Sequence, residues 1–309
     1  MCASSSAKPE SIRSLNDPVH QLASALNERT GIKVTEQVLS KLERVFEALP
    51  TTVVSGWIKQ LEALPGDHYE WLSLIENLTV HETSFFRDRN QLKFLEETII
   101  PELLDRLQQA GGKIIRIWVA GCATGEEVYT YSMLLVTELI KRNLAQFDAT
   151  SDHIIFRAGW GLEILGSDIS RPVLVRAERG HYLEFPGLSP FRNLPERHRT
   201  WFKEATASDE VEQSSVTAIY AVHTALKKLC RFKQHNLMHP MSRDEDLFDL
   251  VSCRNVLIYF TPEAKQQVLS HLSQRIKPAH HLILGPTDPA PHRFESIWGD
   301  QAVVYRKPA

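Results

Sequence analysis

The sequence predicts a doubly wound α/β fold with a mainly parallel sheet, preceded by a small all-helical domain and interrupted by a small β insertion. Three observations predict it. From residue 113 onward, short apolar runs alternate with helical patterns, as in consecutive βαβ units. Before about residue 80, apolar residues recur at helical spacing. Between about 182 and 231 the rhythm breaks at Pro186, Pro190 and Pro195, followed by the alternating run VTAIYAV.

The helical domain is expected over 17–80, behind a Ser-, Ala- and Lys-rich tail at 1–16. Thr35 is a candidate N-cap for a helix whose apolar face is Val38, Leu42, Val45 and Phe46, widened by Leu39. A second short helix carries Trp57, Ile58, Leu61 and Leu64 and stops at Pro65-Gly66. A third carries Trp71, Leu72, Ile75 and Leu78. Residues 81–112 form a linker and a helix leading into the sheet domain at 113–309.

Within that domain the expected strands are Ile114–Ala120, Ile164–Ser167, Phe248–Ser252, His281–Leu284 and Ala302–Tyr305. One helix follows Gly125 and runs to about Lys141. It and a loop from Asp148 to Gly161 should fill the gap before the second strand. Another helix starts at Ser170 as N-cap, has Pro172 in its first turn and ends before Gly180. A third starts at Thr261 with Pro262 behind it, buries Val268, Leu272 and Ile276, and halts at Pro278. The 182–231 insertion reads most simply as a lid or spacer with no chemistry of its own.

Composition narrows the function. Hydrophobic residues are 43% and charged residues 24% of 309, which excludes disorder throughout. Lys and Arg total 35 against 38 Asp and Glu, so bulk nucleic-acid binding is not expected. Cys2, Cys122, Cys230 and Cys253 are scattered without a CxxC pair. His235, His280 and His281 lack metal-ligand spacing, so no metal is expected. There is no secretory pattern at the N-terminus, and no apolar run approaches the roughly 20 residues of a membrane span. The expected compartment is the cytoplasm, without membrane insertion.

The segment IWVAGCATGEEVYTYSMLL, residues 117–135, carries the strongest chemical signal. A buried strand enters a turn containing Gly121 and Gly125, then a helix whose first N–H groups are free. Glu126 and Glu127 follow at once. Acids there repel a pyrophosphate and suit a ligand with positive charge and hydroxyls, which favours S-adenosyl-L-methionine over NAD; they serve equally well to stabilise the helix N-terminus. Asp168 ends the next apolar strand, where an acid commonly accepts ribose hydroxyls; it serves equally well as a helix cap. Arg254 and Asn255 follow the strand of FDLVSCRNVLIYFTPEA, at the rim where α/β ligands bind, and Tyr259 lies beyond them in an apolar setting. Upstream, HETSFFRDRNQL sets Thr83 and Arg87 beside Phe85-Phe86.

The ordered strings TSFFRD, AGCATGEEVYTYSML, GSDIS, HNL and FDLVSCRNVLIYF closely resemble the chemotaxis protein-glutamate O-methyltransferases, the CheR family. The resemblance spans about residues 20–309. It implies a Rossmann-like methyltransferase domain that binds S-adenosyl-L-methionine, releases S-adenosyl-L-homocysteine, and forms methyl esters on glutamates in the cytoplasmic helices of methyl-accepting chemoreceptors. Carried over by motif, cofactor contacts fall at His81, Thr83, Arg87, Gly121, Glu127, Asp168, Asn236, Leu237, Arg254 and Asn255. Arg87 and Tyr259 correspond to residues near the reacting methyl. His81 stands where the family often has Asn.

Three departures stand out. The helix TEQVLSKLERVFEALP is mixed in charge where the family tends to carry an Arg-rich one. The run EATASDEVEQSSVTAIYAV holds no Gly, so tethering of a receptor's tail peptide by the insertion is not expected. GPTDPA replaces the commoner GHSE and sets Pro286 at the rim. Two rival readings remain: a non-catalytic cofactor-binding scaffold in a signalling complex, and a methyltransferase for another protein, RNA or a small molecule.

Overall fold

A computed structural model of the chain describes residues 17–66, 68–78, 83–184, 189–205, 218–242, 247–299 and 302–309. The tail expected at 1–16, His81, and most of the Gly-free run after Glu204 lie outside the described residues. The chain divides into two compact units, Met1–Leu78 and Thr79–Ala309.

The first unit contains α1 (Pro18–Thr30), α2 (Glu36–Phe46), α3 (Thr51–Ala63) and α4 (Tyr69–Leu78). Asp17 caps α1 by accepting the Val19 N–H, and Thr35 caps α2 by accepting the Val38 N–H. Leu22, Leu26, Leu42, Ile58, Leu61, Trp71 and Ile75 make its core. The Trp71 indole donates to the Leu61 carbonyl at 2.8 Å, so burying this large ring leaves no polar atom unpaired. Two details differ from the sequence expectation. Val45 is 57% exposed, and Leu74 rather than Leu72 is buried on α4. The spacing identifies a helical face but not how far its neighbours extend across it.

The second unit opens with α5 (Arg89–Phe94), which passes through a single π-helical turn, Leu95–Ile99, into α6 (Ile100–Gln109). Pro101 follows that turn; it has no N–H to give, and a locally widened turn accommodates it. Then come β1 (Ile114–Ala120), α7 (Glu126–Lys141), β2 (Ala145–Asp148), β3 (His153–Phe156), β4 (Gly161–Asp168) and α8 (Arg171–Arg179). The inserted segment supplies β5 (His181–Glu184), a 3-10 turn at Glu196–Trp201, β6 (Phe202–Glu204), β7 (Ala218–Val222) and α9 (Thr224–Lys227). The chain closes with β8 (Cys230–Gln234), β9 (Phe248–Cys253), a 3-10 turn at Leu257–Tyr259, α10 (Pro262–Gln274), β10 (Ile276–Leu284), β11 (Glu295–Gly299) and β12 (Ala302–Arg306).

The main sheet has seven strands in the order β11-β12-β10-β9-β1-β4-β8. Strands β8, β4, β1, β9 and β10 are mutually parallel, and β12 runs antiparallel to both of its neighbours. Alternating side chains feed two cores. Ile115, Ile117, Val119, Leu250 and Ile283 join α6 and α7 on one face; Trp118, Ala120, Val251, Leu282 and Leu284 join α10 on the other. A parallel sheet covered on both faces is the doubly wound, Rossmann-like arrangement. From β1 the chain moves outward to β4 and β8, then returns to β9 on the opposite side of β1. That reversal opens a crevice at the C-terminal ends of β1 and β9.

Several expectations required correction. The stretch expected to loop from Asp148 to Gly161 contains half of an antiparallel hairpin, β2 with β3. The α10 helix ends at Gln274, and Ile276 and Pro278 belong to β10, where the register with β9 shifts between Ile276 and His281. Pro278 cannot donate to a ladder, so this interrupted pairing is the place that tolerates it. The main-sheet strand β8 and the edge strand β11 were not foreseen. Ser170 occupies the N-cap position of α8, but its side chain makes no capping bond; the carboxylate of Asp168 accepts the Ser170 N–H instead, at 3.0 Å.

Candidate active site

Asp168, the turn after β1, and the residues after β8 and β9 share one edge because their parent strands are parallel and in register. Two left-handed glycines shape the turn, Gly121 at φ +72° and Gly125 at φ +92°. A Cβ on Gly121 would lie 2.4 Å from Val256 Cγ2, and one on Gly125 would lie 2.9 Å from Ala177 Cβ. Both positions therefore need glycine for conformation and for space. The N–H groups of Gly121 and Cys122 donate to the Ser167 carbonyl at 2.7 and 2.9 Å, and the Ala123 N–H donates to Asp168 Oδ2 at 2.9 Å. Asp168 thus ties the glycine turn to the entry of α8, bonding the N–H of the N-cap residue rather than one in the helix's first turn. It is 8% exposed.

Glu127, in the first turn of α7, accepts from Ser252 Oγ at 2.5 Å and from Arg254 Nη1 at 3.0 Å. The Tyr131 hydroxyl donates to Ser252 Oγ at 3.1 Å, completing a chain from α7 to β9. The Arg254 side chain is 1% exposed, and its Nη2 donates to Asp88 Oδ2 at 2.7 Å and to the Arg87 carbonyl at 2.9 Å. Burial alone would lower the guanidinium's proton affinity; the adjacent Glu127, Tyr131 and Asp88 outweigh it and raise the affinity, so the charge is fixed. Glu126, one residue before Glu127, is buried against the Thr124 hydroxyl, which donates to it at 2.7 Å. Burial raises its pKa to about 7.

The TSFFRD segment is a strap tied at successive residues. Phe85 N–H donates to the Pro190 carbonyl at 2.9 Å, and Phe86 N–H to Thr130 Oγ1 at 3.2 Å. Arg87 and Asp88 are then held by Arg254. Phe86, Asp88, Ala123 and Asn255 all have φ between +47° and +59°. Left-handed non-glycine residues cost roughly 1–3 kcal/mol each and persist where the surroundings over-determine them, and these four gather at one rim.

Asn236 follows β8, and its side chain accepts the Met238 N–H at 3.0 Å. Leu237 is buried in the α10-side core, and its carbonyl meets His271 Nδ1 at 3.0 Å. Tyr259 is half-buried on the 3-10 turn after β9, and Thr83 is half-buried at the start of the strap. The rim around GPTDPA is held by Asp288, which accepts the Gly285 N–H at 2.8 Å. Burial raises the pKa of this carboxyl. Asp88, Tyr131, Ser252 and Asp288 were missed by sequence reasoning. All four lie inside quoted strings, but nothing local marks Ser252 or Asp88 as a partner of Glu127 or Arg254.

An acid-lined, glycine-turned crevice at the switch point fits a ligand carrying ammonium, sulfonium and ribose groups better than one carrying phosphates. Among the described residues no group of His, Cys, Asp and Glu could hold a metal ion, and no helix is long and apolar enough to cross a membrane.

Comparison with known proteins places the chain in a family. Residues 81–300 match the model of the CheR methyltransferase SAM-binding domain. A chemotaxis protein methyltransferase of Borreliella burgdorferi is 28% identical over 95% of this chain and 93% of its own length. Chemotaxis protein methyltransferase 1 of Pseudomonas aeruginosa is 28% identical over 87% of this chain and 88% of its own.

Proposed function

The chain belongs to the CheR methyltransferase family, with S-adenosyl-L-methionine as cofactor, and from that premise we propose that it esterifies glutamate side chains on the cytoplasmic helices of a methyl-accepting chemoreceptor. The observation that carries this reading is the buried Arg254, which ties Glu127 of α7 to the Arg87–Asp88 strap at the switch-point rim.

When bound, the cofactor supplies a sulfonium-activated methyl group and leaves as S-adenosyl-L-homocysteine. Asp168 and Glu127 accept its hydroxyl and ammonium donors; Thr83, Gly121, Asn236, Leu237 and Asn255 complete the wall. Arg254, which the family resemblance offers as a cofactor contact, has both terminal nitrogens engaged by Glu127, Asp88 and the Arg87 carbonyl and acts by positioning them. Glutamate has a reference pKa of about 4.3, so the acceptor is already an anion at neutral pH and needs no general base. Arg87 orients that carboxylate, and Tyr259 gives it a hydrogen bond while excluding water. Direct displacement requires no enzyme nucleophile. The near-balanced net charge and the additional helical unit favour a protein acceptor over RNA or a small molecule.

The test is transfer of tritiated methyl from the cofactor to purified receptor cytoplasmic fragments, followed by alkali. Volatile tritiated methanol is the expected product. Alkali-stable label would point to N-methylation, and cofactor binding without transfer to any receptor fragment would favour the scaffold reading.

A further inference from the structure

We propose that Tyr182, carried by the inserted sheet, is a positioning residue that sets the donor-binding turn and the Arg87 strap relative to one another. This rests on the methyl-transfer reading and assigns the insertion a part in it, where the sequence suggested a spacer.

Tyr182 lies on β5 and is 5% exposed. Its hydroxyl donates to the Thr124 carbonyl at 2.7 Å, in the middle of the Gly121–Gly125 turn. A Cβ on Gly125 would come within 3.3 Å of that hydroxyl, so the phenol packs directly on the turn. The same ring meets Phe85 of the strap edge-on, with centroids 4.7 Å apart. One side chain therefore touches both halves of the rim.

The insertion is itself stiffened around this contact. Phe191 stacks on Phe85 at 5.3 Å and 10°, and the Pro190 carbonyl accepts the Phe85 N–H. Ser189 Oγ accepts the Phe191 N–H at 3.1 Å and donates to Glu184 at 2.8 Å. His198 stacks on Phe86 at 4.8 Å. Arg87 follows immediately. Aromatic packing of this kind resists sliding because ring edges and faces must stay matched. The phenol hydroxyl then fixes the turn's height against the strap.

The experiment is calorimetric titration of the full chain with S-adenosyl-L-homocysteine, alongside deuterium exchange of the unliganded protein. Tyr182→Phe keeps the ring and removes the bond to Thr124. The expected result is a Kd raised about five- to tenfold with stoichiometry unchanged, the scale of one lost hydrogen bond. Faster exchange over 121–128 should accompany it. A merely structural role would lower the binding-competent fraction and the melting temperature while leaving Kd as it was, and that result overturns the proposal. Phe191→Leu retains the hydroxyl and loosens only the strap; faster exchange over 83–88 with a raised Kd supports the coupling, and no change in either overturns it. A wild-type protein that fails to bind the product at all removes the methyl-transfer reading and this inference together. Wild-type binding that Tyr182→Phe leaves untouched removes the inference alone.

Discussion

Arg254 Nη1 lies 3.0 Å from Glu127 Oε2 and joins the end of β9 to the first turn of α7 across the sheet's switch point. The guanidinium's other arm reaches Asp88, so one buried cation holds three chain segments.

Arg254→Met should therefore be among the most damaging single changes at this rim. It leaves Glu127 without its cation, and breaking a buried pair from one side costs about 3–5 kcal/mol. Chemical denaturation would report the loss. Arg254→Lys should recover only part of it, because an ammonium cannot reproduce the planar fork that serves Glu127, Asp88 and the Arg87 carbonyl together.

Gly121→Ala should destabilise the turn through two separable effects, the left-handed backbone and the 2.4 Å approach to Val256. A combined cost of about 1–3 kcal/mol is expected. Val256→Ala in the same chain should recover the steric share and leave the conformational share. A double-mutant cycle in urea measures the split, and strict additivity of the two changes would contradict the steric account.

Asp168→Ala removes the acceptor for the Ala123 and Ser170 N–H groups as well as the proposed ribose contact. Product affinity should fall by about 1.5–3 kcal/mol. Calorimetry showing unchanged affinity would leave Asp168 a purely structural tie between the turn and the entry of α8.

Glu126 makes stability depend on pH. Its folded pKa of about 7 lies above the ordinary carboxylate value because burial penalises the charge. The folded state thus holds a proton that the unfolded state releases. The contribution is complete below about pH 4.5 and is lost as pH rises through 7, to a limit of about 3 kcal/mol. Glu126→Gln should abolish this slope, so its stability relative to wild type should climb between pH 5 and 7.5. Melting curves across that range would show parallel profiles if the carboxyl were not buried as described.

Tyr259→Phe should slow methyl transfer to a receptor fragment while leaving the Kd for S-adenosyl-L-homocysteine within about twofold, since the phenol is assigned to the acceptor side. A large change in Kd would move Tyr259 to the donor side.

Helix starts were legible because caps act over three residues: Thr35 and Thr261 accept the N–H groups of Val38 and Ala264. The β1 strand and the start of α7 were legible from an apolar run that meets a glycine turn and two acids. The β2–β3 hairpin was not, since its strands are only four residues each and largely exposed or half-buried, too short for a periodicity to stand out. Nor was the end of α10, where Ile276 continues the helical spacing but is claimed by pairing with Phe248.

By itself the sequence determined the alternating strands and helices around β1, β4, β9, β10 and β12, the glycine turn and the residue types gathered at the rim, because caps, turns and periodicity are encoded between near neighbours. The tertiary structure alone decided that Arg254 faces Glu127 and Asp88, that Asp168 holds Ala123, and that Tyr182 bridges turn and strap. These bonds join residues 45 to 166 positions apart, and electrostatic and hydrogen-bond partners at such separations are set by strand register and packing, which local sequence does not specify.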